Sequence, residues 1–425
     1  MKEKDKGNTI DQLADHLFRH EWGKMVAVLT RIFGLHNLEL AEDVMQDAFA
    51  KALKDWTYKI PDNPSAWLMQ TAKNKAIDII RREKYKKEFA EETSALLKSA
   101  YTLAPVLEKL FMEHEIQDSQ LRMIFACCHP ALSESDQIAL TLKTCSGFSI
   151  QEIAGALLTN SETIKKRIQR AKNSITEKNV RFDIPTGNEL KKRLDTVLHT
   201  LYLIFNEGYN SSSKEQLIRK DLSEEAIRLS LLLTENNYTN QPKCYSLIAL
   251  MALLVSRFEA RLDENGEIIL LEDQDRSKWN KELIGIGIEY LHKASEGDEL
   301  SEYHIEAAIV AEHSFAKSFA DTNWELILSL YDHLIHLNPS PVVLLNRAIV
   351  MGKLKEAKAA IGEIRSIKDI GKLMETHYLF SAVLGDLYKQ MGNKAQAKNF
   401  LEKAINLTDS LAEKKLLKKK LNELY

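Results

Sequence analysis

Glycine and proline are scarce in this chain, 16 and 8 of its 425 residues, against average usages of about 7% and 5%. A sheet-rich protein must turn about every eight to twelve residues, so an all-α chain is expected. Four cysteines are too few for a disulfide scaffold at this length. The longest wholly apolar run, Leu247 to Val255, is nine residues, half of the roughly 18 a membrane helix needs. The opening MKEKDKGNTIDQ has no apolar stretch that could act as a secretion signal. A soluble, cytoplasmic protein is expected, with no membrane partner. Net charge is nearly absent too, at -3 from 58 basic and 61 acidic residues. As an average, that balance offers nucleic-acid phosphates nothing.

What is present is distributed unevenly. The length suggests about two to four domains at roughly 100–200 residues each, and 44% hydrophobic residues can fill several cores. From Lys73 to Lys87 seven basic residues stand against two acidic ones, and from Ser161 to Phe182 again seven against two. Residues 1–184 carry 27 basic and 26 acidic residues, so an acidic segment cancels the basic ones. The break Asp183-Ile184-Pro185-Thr186-Gly187-Asn188 is the expected boundary between two halves.

In the first half, Leu40, Ala41, Val44, Met45, Ala48, Phe49, Ala52, Leu53 and Trp56 recur at helical spacing, opposite an acidic face of Glu39, Glu42, Asp43, Gln46 and Asp47. After the Pro-containing loop Tyr58–Asn63, Ser65 is the expected cap of a basic helix. That helix carries Lys73, Asn74, Asp78, Arg81 and Arg82 on its polar side, and Trp67 reads as core. A polar tether follows. Ser149-Ile150-Gln151-Glu152 is a capping box opening a short helix, Leu158-Thr159-Asn160 makes a turn, and a second helix begins at Ser161. Glycine is missing from that turn, and Asn160 is expected to supply the left-handed residue. The second helix points Ile164, Ile168 and Ala171 inward and Thr163, Lys165, Lys166, Gln169 and Arg170 outward, a helix-turn-helix with a recognition helix.

In the second half, Met351-Gly352-Lys353-Leu354-Lys355-Glu356-Ala357-Lys358 and Met391-Gly392-Asn393-Lys394-Ala395-Gln396-Ala397-Lys398 match at an offset of 40. Leu384, Gly385, Tyr388, Gly392, Ala397, Leu401 and Ala404 fit the small-residue pattern of tetratricopeptide helical hairpins. The Lys-rich end, Lys414–Lys420, reads as a capping helix with a wet face.

Taken in order, AEDVMQDAFAKALKDW (41–56), NPSAWLMQTAKNKAIDIIRR (63–82) and FSIQEIAGALLTNSETIKKRIQRAK (148–172) resemble the extracytoplasmic-function sigma factors of bacterial RNA polymerase. LRMIFACCHPALS (121–133), YLIFNEGYNSSS (202–213), LLEDQDRSKW (270–279) and LYDHLIHLNPSPVVLLNRAI (330–349) resemble the subgroup with a long tetratricopeptide-like C-terminal extension. The resemblance implies region 2 over 1–90, a linker over 91–118, region 4 over 119–184, a helical extension over 185–300 and helical repeats over 301–425. It implies that Glu42, Asp43, Gln46 and Asp47 dock on core RNA polymerase. Lys73, Asn74, Asp78, Arg81 and Arg82 would bind the −10 element of promoter DNA, with Tyr58–Asn63 capturing a flipped base. Thr163, Lys165, Lys166, Gln169 and Arg170 would read the −35 element, Lys and Arg suiting guanine edges and Gln adenine. Lys172, Lys178 and Arg181 would track phosphate.

The extension would regulate the factor in cis or bind a protein or small-ligand partner. Asn206, Glu207, Tyr209, Asp273, Asp275 and Arg276 are the polar candidates for a pocket there, or else cap and brace helices. No nucleophile–base–orienter set is visible, so no catalysis and no cofactor are assigned. Cys127-Cys128-His129 with Cys145 lacks the paired spacing of a zinc site and reads as buried thiols, and no metal is assigned. The alternative is a DNA-binding transcriptional regulator with a tetratricopeptide sensor that does not bind core polymerase.

Overall fold

A computed structural model describes residues 2–83, 103–157, 159–210 and 218–425. Lys84, Lys86 and Lys87 of the first basic cluster, most of the tether, Leu158 of the turn and Ser211–Ser213 lie outside the described residues. Among the described residues the elements are helices joined by turns, with one isolated bridge between Leu262 and Ile268. Two compact units divide them, Met1–Ile204 with Leu231–Thr239, and Phe205–Ser230 with Asn240–Tyr425. The division falls inside a helix, at 204/205 and not at the Pro185 break, because side chains beyond the break hold to the first unit. Arg193 donates to the carbonyl of Phe125 at 2.9 Å, and the Thr200 hydroxyl donates to Gln137 at 2.9 Å.

The first unit begins with α1 (Lys2–Phe33), α2 (Leu38–Asp55) and α3 (Pro64–Glu83). Met25, Leu29, Ile32, Met45, Leu68 and Ile80 fill its interior without exposure. The cap of α3 is Asn63, whose side chain accepts from the Ala66 amide at 3.0 Å. Ser65 is therefore inside the first turn, because Pro64 takes the first helical position, where its missing N–H costs nothing. Leu53, expected on the apolar face of α2, is 42% exposed, whereas Glu42, expected on the wet face, is buried.

Next come α4 (Leu103–Leu110), α5 (Glu113–Cys127), α6 (Glu134–Thr144), α7 (Ile150–Ala156) and α8 (Ser161–Glu177). Ser149 and Glu152 close the capping box on α7 in both directions. Asn160 is extended, at φ −97° and ψ 158°, and its side chain accepts from the Thr163 amide at 2.7 Å. Its carboxamide is the N-cap of α8, so the turn does without a left-handed residue at that position. The four cysteines are buried thiols; burial pushes Cys128 up to about 12.

Helix α9 (Gly187–Tyr209) runs from the first unit into the second, and α10 (Lys220–Thr234) also contributes to both. The second unit continues through α11 (Pro242–Val255), α12 (Lys281–Ala294), α13 (Glu302–Phe315), α14 (Trp324–Leu337), α15 (Pro341–Lys353), α16 (Ala357–Ser366), α17 (Ile370–Thr376), α18 (Tyr378–Gln390), α19 (Lys394–Leu407) and α20 (Leu411–Asn422). Its helices pack as successive neighbours. Gly385 lets α18 approach α19, since a Cβ there would sit 2.8 Å from Leu401. Gly352 does the same for α15 against Leu387 at 2.7 Å.

Candidate nucleic-acid interface

Helix α8 is the most polar surface helix of the first unit. Ile164, Ile168, Ala171 and Ile175 anchor it, and the opposite side faces solvent. Lys165, Lys166 and Gln169 are exposed and Thr163 is half-buried. Lys166 lies 4.0 Å from Glu162, and Gln169 donates to Asn173 at 3.0 Å. These are local contacts that a base edge or phosphate can replace. Arg170 is different. Its Nε donates to Asp136 at 2.8 Å and its second nitrogen to the other carboxylate oxygen. Asp136 is 3% exposed, and its hydrogen bond holds the Arg170 guanidinium above its ordinary value. Arg170 is thereby committed to its own domain.

On α2 and α3, Asp43, Gln46 and Asp47 are exposed, as are Asn74, Asp78, Arg81 and Arg82. Lys73 is half-buried, 4.0 Å from Glu108. Asp47 pairs with Lys75 across the two helices, and Asp47, Lys51, Asn74, Lys75 and Asp78 line a shallow hollow of about 330 Å³. In the connecting loop Tyr58 is 90% exposed and Ile60 38%. Trp67, expected in the core, is half-buried, edge-on to the fully enclosed Trp56 at 5.6 Å.

The two halves of this surface meet. Lys172, at the solvent edge of α8, donates to Glu42 on α2 at 2.8 Å and lies 3.6 Å from Glu39. The other carboxylate oxygen of Glu42 has no hydrogen-bond partner among the described residues. A crevice of about 200 Å³ beside the pair is lined by His36, Glu39, Gln169, Lys172 and Asn173. Behind it α1 is clamped to the helix-turn-helix domain. A Cβ on Gly23 would sit 1.9 Å from the carbonyl oxygen of Cys145, Lys143 lies over the Trp22 ring at 5.2 Å, and Arg31 holds Glu115 and Asp118 at 2.8 and 3.1 Å. Nothing in the sequence signals this contact, because its partners are 84 to 130 residues apart.

In the second unit the polar candidates separate. Tyr209 and Arg276 are linked through Arg257 and the ring of Trp279. Asp275 caps the turn at Ser277, accepting from its amide at 2.9 Å and its hydroxyl at 2.7 Å, and Asp273 is exposed. The carbonyl of Asn206 accepts from the Asn210 amide at 2.8 Å, and Glu207 is half-buried with a partner of its own. Gly208, within the same polar stretch, takes the Arg219 amide on its carbonyl at 2.8 Å, and a Cβ there would stand 2.5 Å from Ser223. Among the described residues no group of His, Cys, Asp and Glu could hold a metal ion, and no helix is long and apolar enough to cross a membrane.

Residues 17–85 match the model of sigma-70 region 2 and residues 122–175 that of sigma-70 region 4. Residues 193–295 match a family of unknown function, DUF6596. The uncharacterized protein R00370 of Rhizobium meliloti (strain 1021) is 35% identical over 400 residues, covering 94% of this chain and 93% of its own length. No solved structure matches. With region 2 running from within α1 through α3 and region 4 from within α5 into α8, the chain belongs to the sigma-70 family, as an extracytoplasmic-function-like sigma factor whose two regions are followed by a C-terminal helical extension.

Proposed function

We propose that this sigma factor binds core RNA polymerase through Asp43, Gln46 and Asp47, joined by Glu42 once Lys172 releases it, and opens promoters whose −10 and −35 elements it reads with separate domains. The observation that supports this most is the pairing of both sigma regions on one chain, each with its polar surface outward. Lys73, Asn74, Asp78, Arg81 and Arg82 would follow the −10 strand while the exposed Tyr58 offers a ring for an unstacked base. Lys165, Lys166, Gln169 and Thr163 would contact −35 base edges and phosphates. It would work in the cytoplasm, where its polymerase and DNA are.

The contact between regions 2 and 4 makes this a resting arrangement. Elements named for positions −35 and −10 are about 25 base pairs apart, roughly 85 Å at 3.4 Å per pair, whereas Lys172 and Glu42 are hydrogen-bonded. Reading both elements requires the domains to part. Polymerase, by taking Glu42, would favour the parted form.

The extension would control this opening in cis. A stop after Pro185 is a poor test, since it strips region 4 of Arg193 and Thr200. Gly385→Trp, which wedges α18 from α19, disturbs the extension alone. In run-off transcription with purified core enzyme, the full chain should direct a discrete transcript and Gly385→Trp should change its amount at least threefold. No transcript and no co-purification with core would refute the polymerase reading; equal transcripts would refute control by the extension.

A further inference from the structure

Among the described residues of the second unit, Arg257, Arg261 and Arg276 have no carboxylate within ion-pair distance. Arg257, 8% exposed, donates to the Tyr209 hydroxyl at 2.9 Å. Arg261 donates to the Tyr209 carbonyl and lies 3.8 Å over its ring. Arg276 donates to the carbonyls of His313 and Ala316. Arg257 and Arg276 share the buried ring of Trp279 at 5.7 and 4.6 Å. Among the described residues none of the three lies within 4.0 Å of an Asp or Glu oxygen. Nε of Arg257, one terminal nitrogen of Arg276 and Nδ1 of His313 have no hydrogen-bond partner there.

Two of these arginines hold helix C-terminal carbonyls, each end worth roughly half a negative charge. Asp321 offsets part of the charge of the half-buried Arg276, so the excess positive charge gathers at the buried Arg257 and at Arg261, and a buried charge without a partner is costly.

Arg261 and His313 stand in the wall of a groove of about 540 Å³, within the size range of small-molecule sites. Leu270, Leu271, Phe319, Trp324, Tyr331 and Ile349 make its apolar lining. Its other charged side chains are already engaged. Lys353 holds Glu272 at 2.7 Å, Lys420 holds Asp386 at 2.6 Å, and Glu413 is taken by the hydroxyls of Tyr378 and Thr408. The arginine end is where unmet charge and an open apolar cavity coincide. We propose that it binds the oxyanionic head, carboxylate or phosphate, of a small amphipathic molecule whose apolar body lies along the groove. The planar guanidinium of Arg261 suits either head, with Arg257 and Arg276 raising the local potential behind it. The same surroundings push His313 down to about 4, through burial and the two neighbouring guanidiniums, leaving it neutral and able to donate one N–H.

Calorimetric titration of the full chain with octanoate, octyl phosphate, octylamine and octanol at pH 7 tests this. At least one oxyanion should bind ten times more tightly than octylamine and octanol, and the stronger of the two identifies the head. Arg261→Gln should weaken it tenfold or more, and Ile349→Trp, which places bulk in the groove, should do the same. If Arg261→Gln does not fold, the wild-type affinity should still fall severalfold between 50 and 500 mM salt, following the screening of a charged contact (about 10 Å Debye length at 0.1 M, 3 Å at 1 M). Absence of binding by both oxyanions at millimolar concentration, equal binding of octanol, or an affinity indifferent to Arg261→Gln or, failing that, to salt would overturn it. In that case the arginines only fasten the ends of α9 and α13. This titration reads the extension alone, so its failure leaves the sigma assignment standing.

Discussion

Nζ of Lys172 on α8 donates to Oε2 of Glu42 on α2 at 2.8 Å, joining the helix proposed to read DNA to the one proposed to face polymerase. The side chains are only 15% and 8% exposed, so the pair is screened far less than a surface one. Lys172→Ala leaves Glu42 buried beside an empty place and should favour the parted domains. Apparent affinity for core enzyme should rise about tenfold, equivalent to about 1.4 kcal/mol of bias, and the radius of gyration from small-angle scattering should increase. Promoter affinity should fall slightly for all sequences alike if Lys172 tracks phosphate as proposed. Unchanged core affinity and radius would mean that the pair does not hold the domains together.

Asp43→Lys with Asp47→Lys should abolish co-purification with core polymerase while leaving the urea midpoint nearly constant. Both side chains are exposed, and the Asp47–Lys75 pair, with half-exposed side chains, is worth about 0–1 kcal/mol. The association rate should suffer most, because complementary charge acts chiefly on encounter.

Gln169→Ala and Arg170→Ala should have opposite consequences. The first removes an exposed amide and should relax discrimination at one −35 position by about 1–3 kcal/mol, visible in sequences selected from a random pool. The second strips a buried carboxylate of its bidentate partner. It should lower stability by on the order of 2 kcal/mol or more, measured by urea unfolding, with the selected sequence unaltered. If Arg170→Ala changes the sequence and spares stability, the Asp136 pairing is incidental.

His313 gives the extension a stability that depends on pH. Its folded value, about 4, lies below the ordinary 6.5, so below pH 6.5 the unfolded state takes up a proton that the folded state refuses. Stability is therefore full above about pH 6.5 and is lost as pH falls towards 4, by up to roughly 3 kcal/mol. Burial lowers His304 as well, which adds to the same slope. The melting temperature of the full chain should drop over that interval, and His313→Gln should drop less. An equal drop would place the acid sensitivity elsewhere.

Features set by residues a few places apart are legible in the sequence. The Ser149–Glu152 box closes within four residues and needs nothing else. The small-residue pattern around Gly385 and Leu401 marks where α18 and α19 touch. The two exceptions among the caps show the limit. Asn63 displaced Ser65 because Pro64 fixes the first turn, and Asn160 supplied a side-chain acceptor where a left-handed backbone was expected.

Sequence alone determined the helical class, the order of the two sigma regions and the polar side chains proposed to meet polymerase and promoter, because helix periodicity and motif order depend on residues a few places apart. Tertiary structure decided which of those side chains are free. Arg170 looked like a base reader until Asp136, 34 residues away, claimed it. Glu42 and Lys172, 130 residues apart, looked like two separate wet surfaces. Arg257, Arg261 and Arg276, spread over 20 positions of the chain, are gathered by the fold around Trp279 and Tyr209 with no carboxylate in ion-pair distance among the described residues. The near-zero net charge hides all of this, since pairing is set by distance in space and a sum over the chain carries no distances.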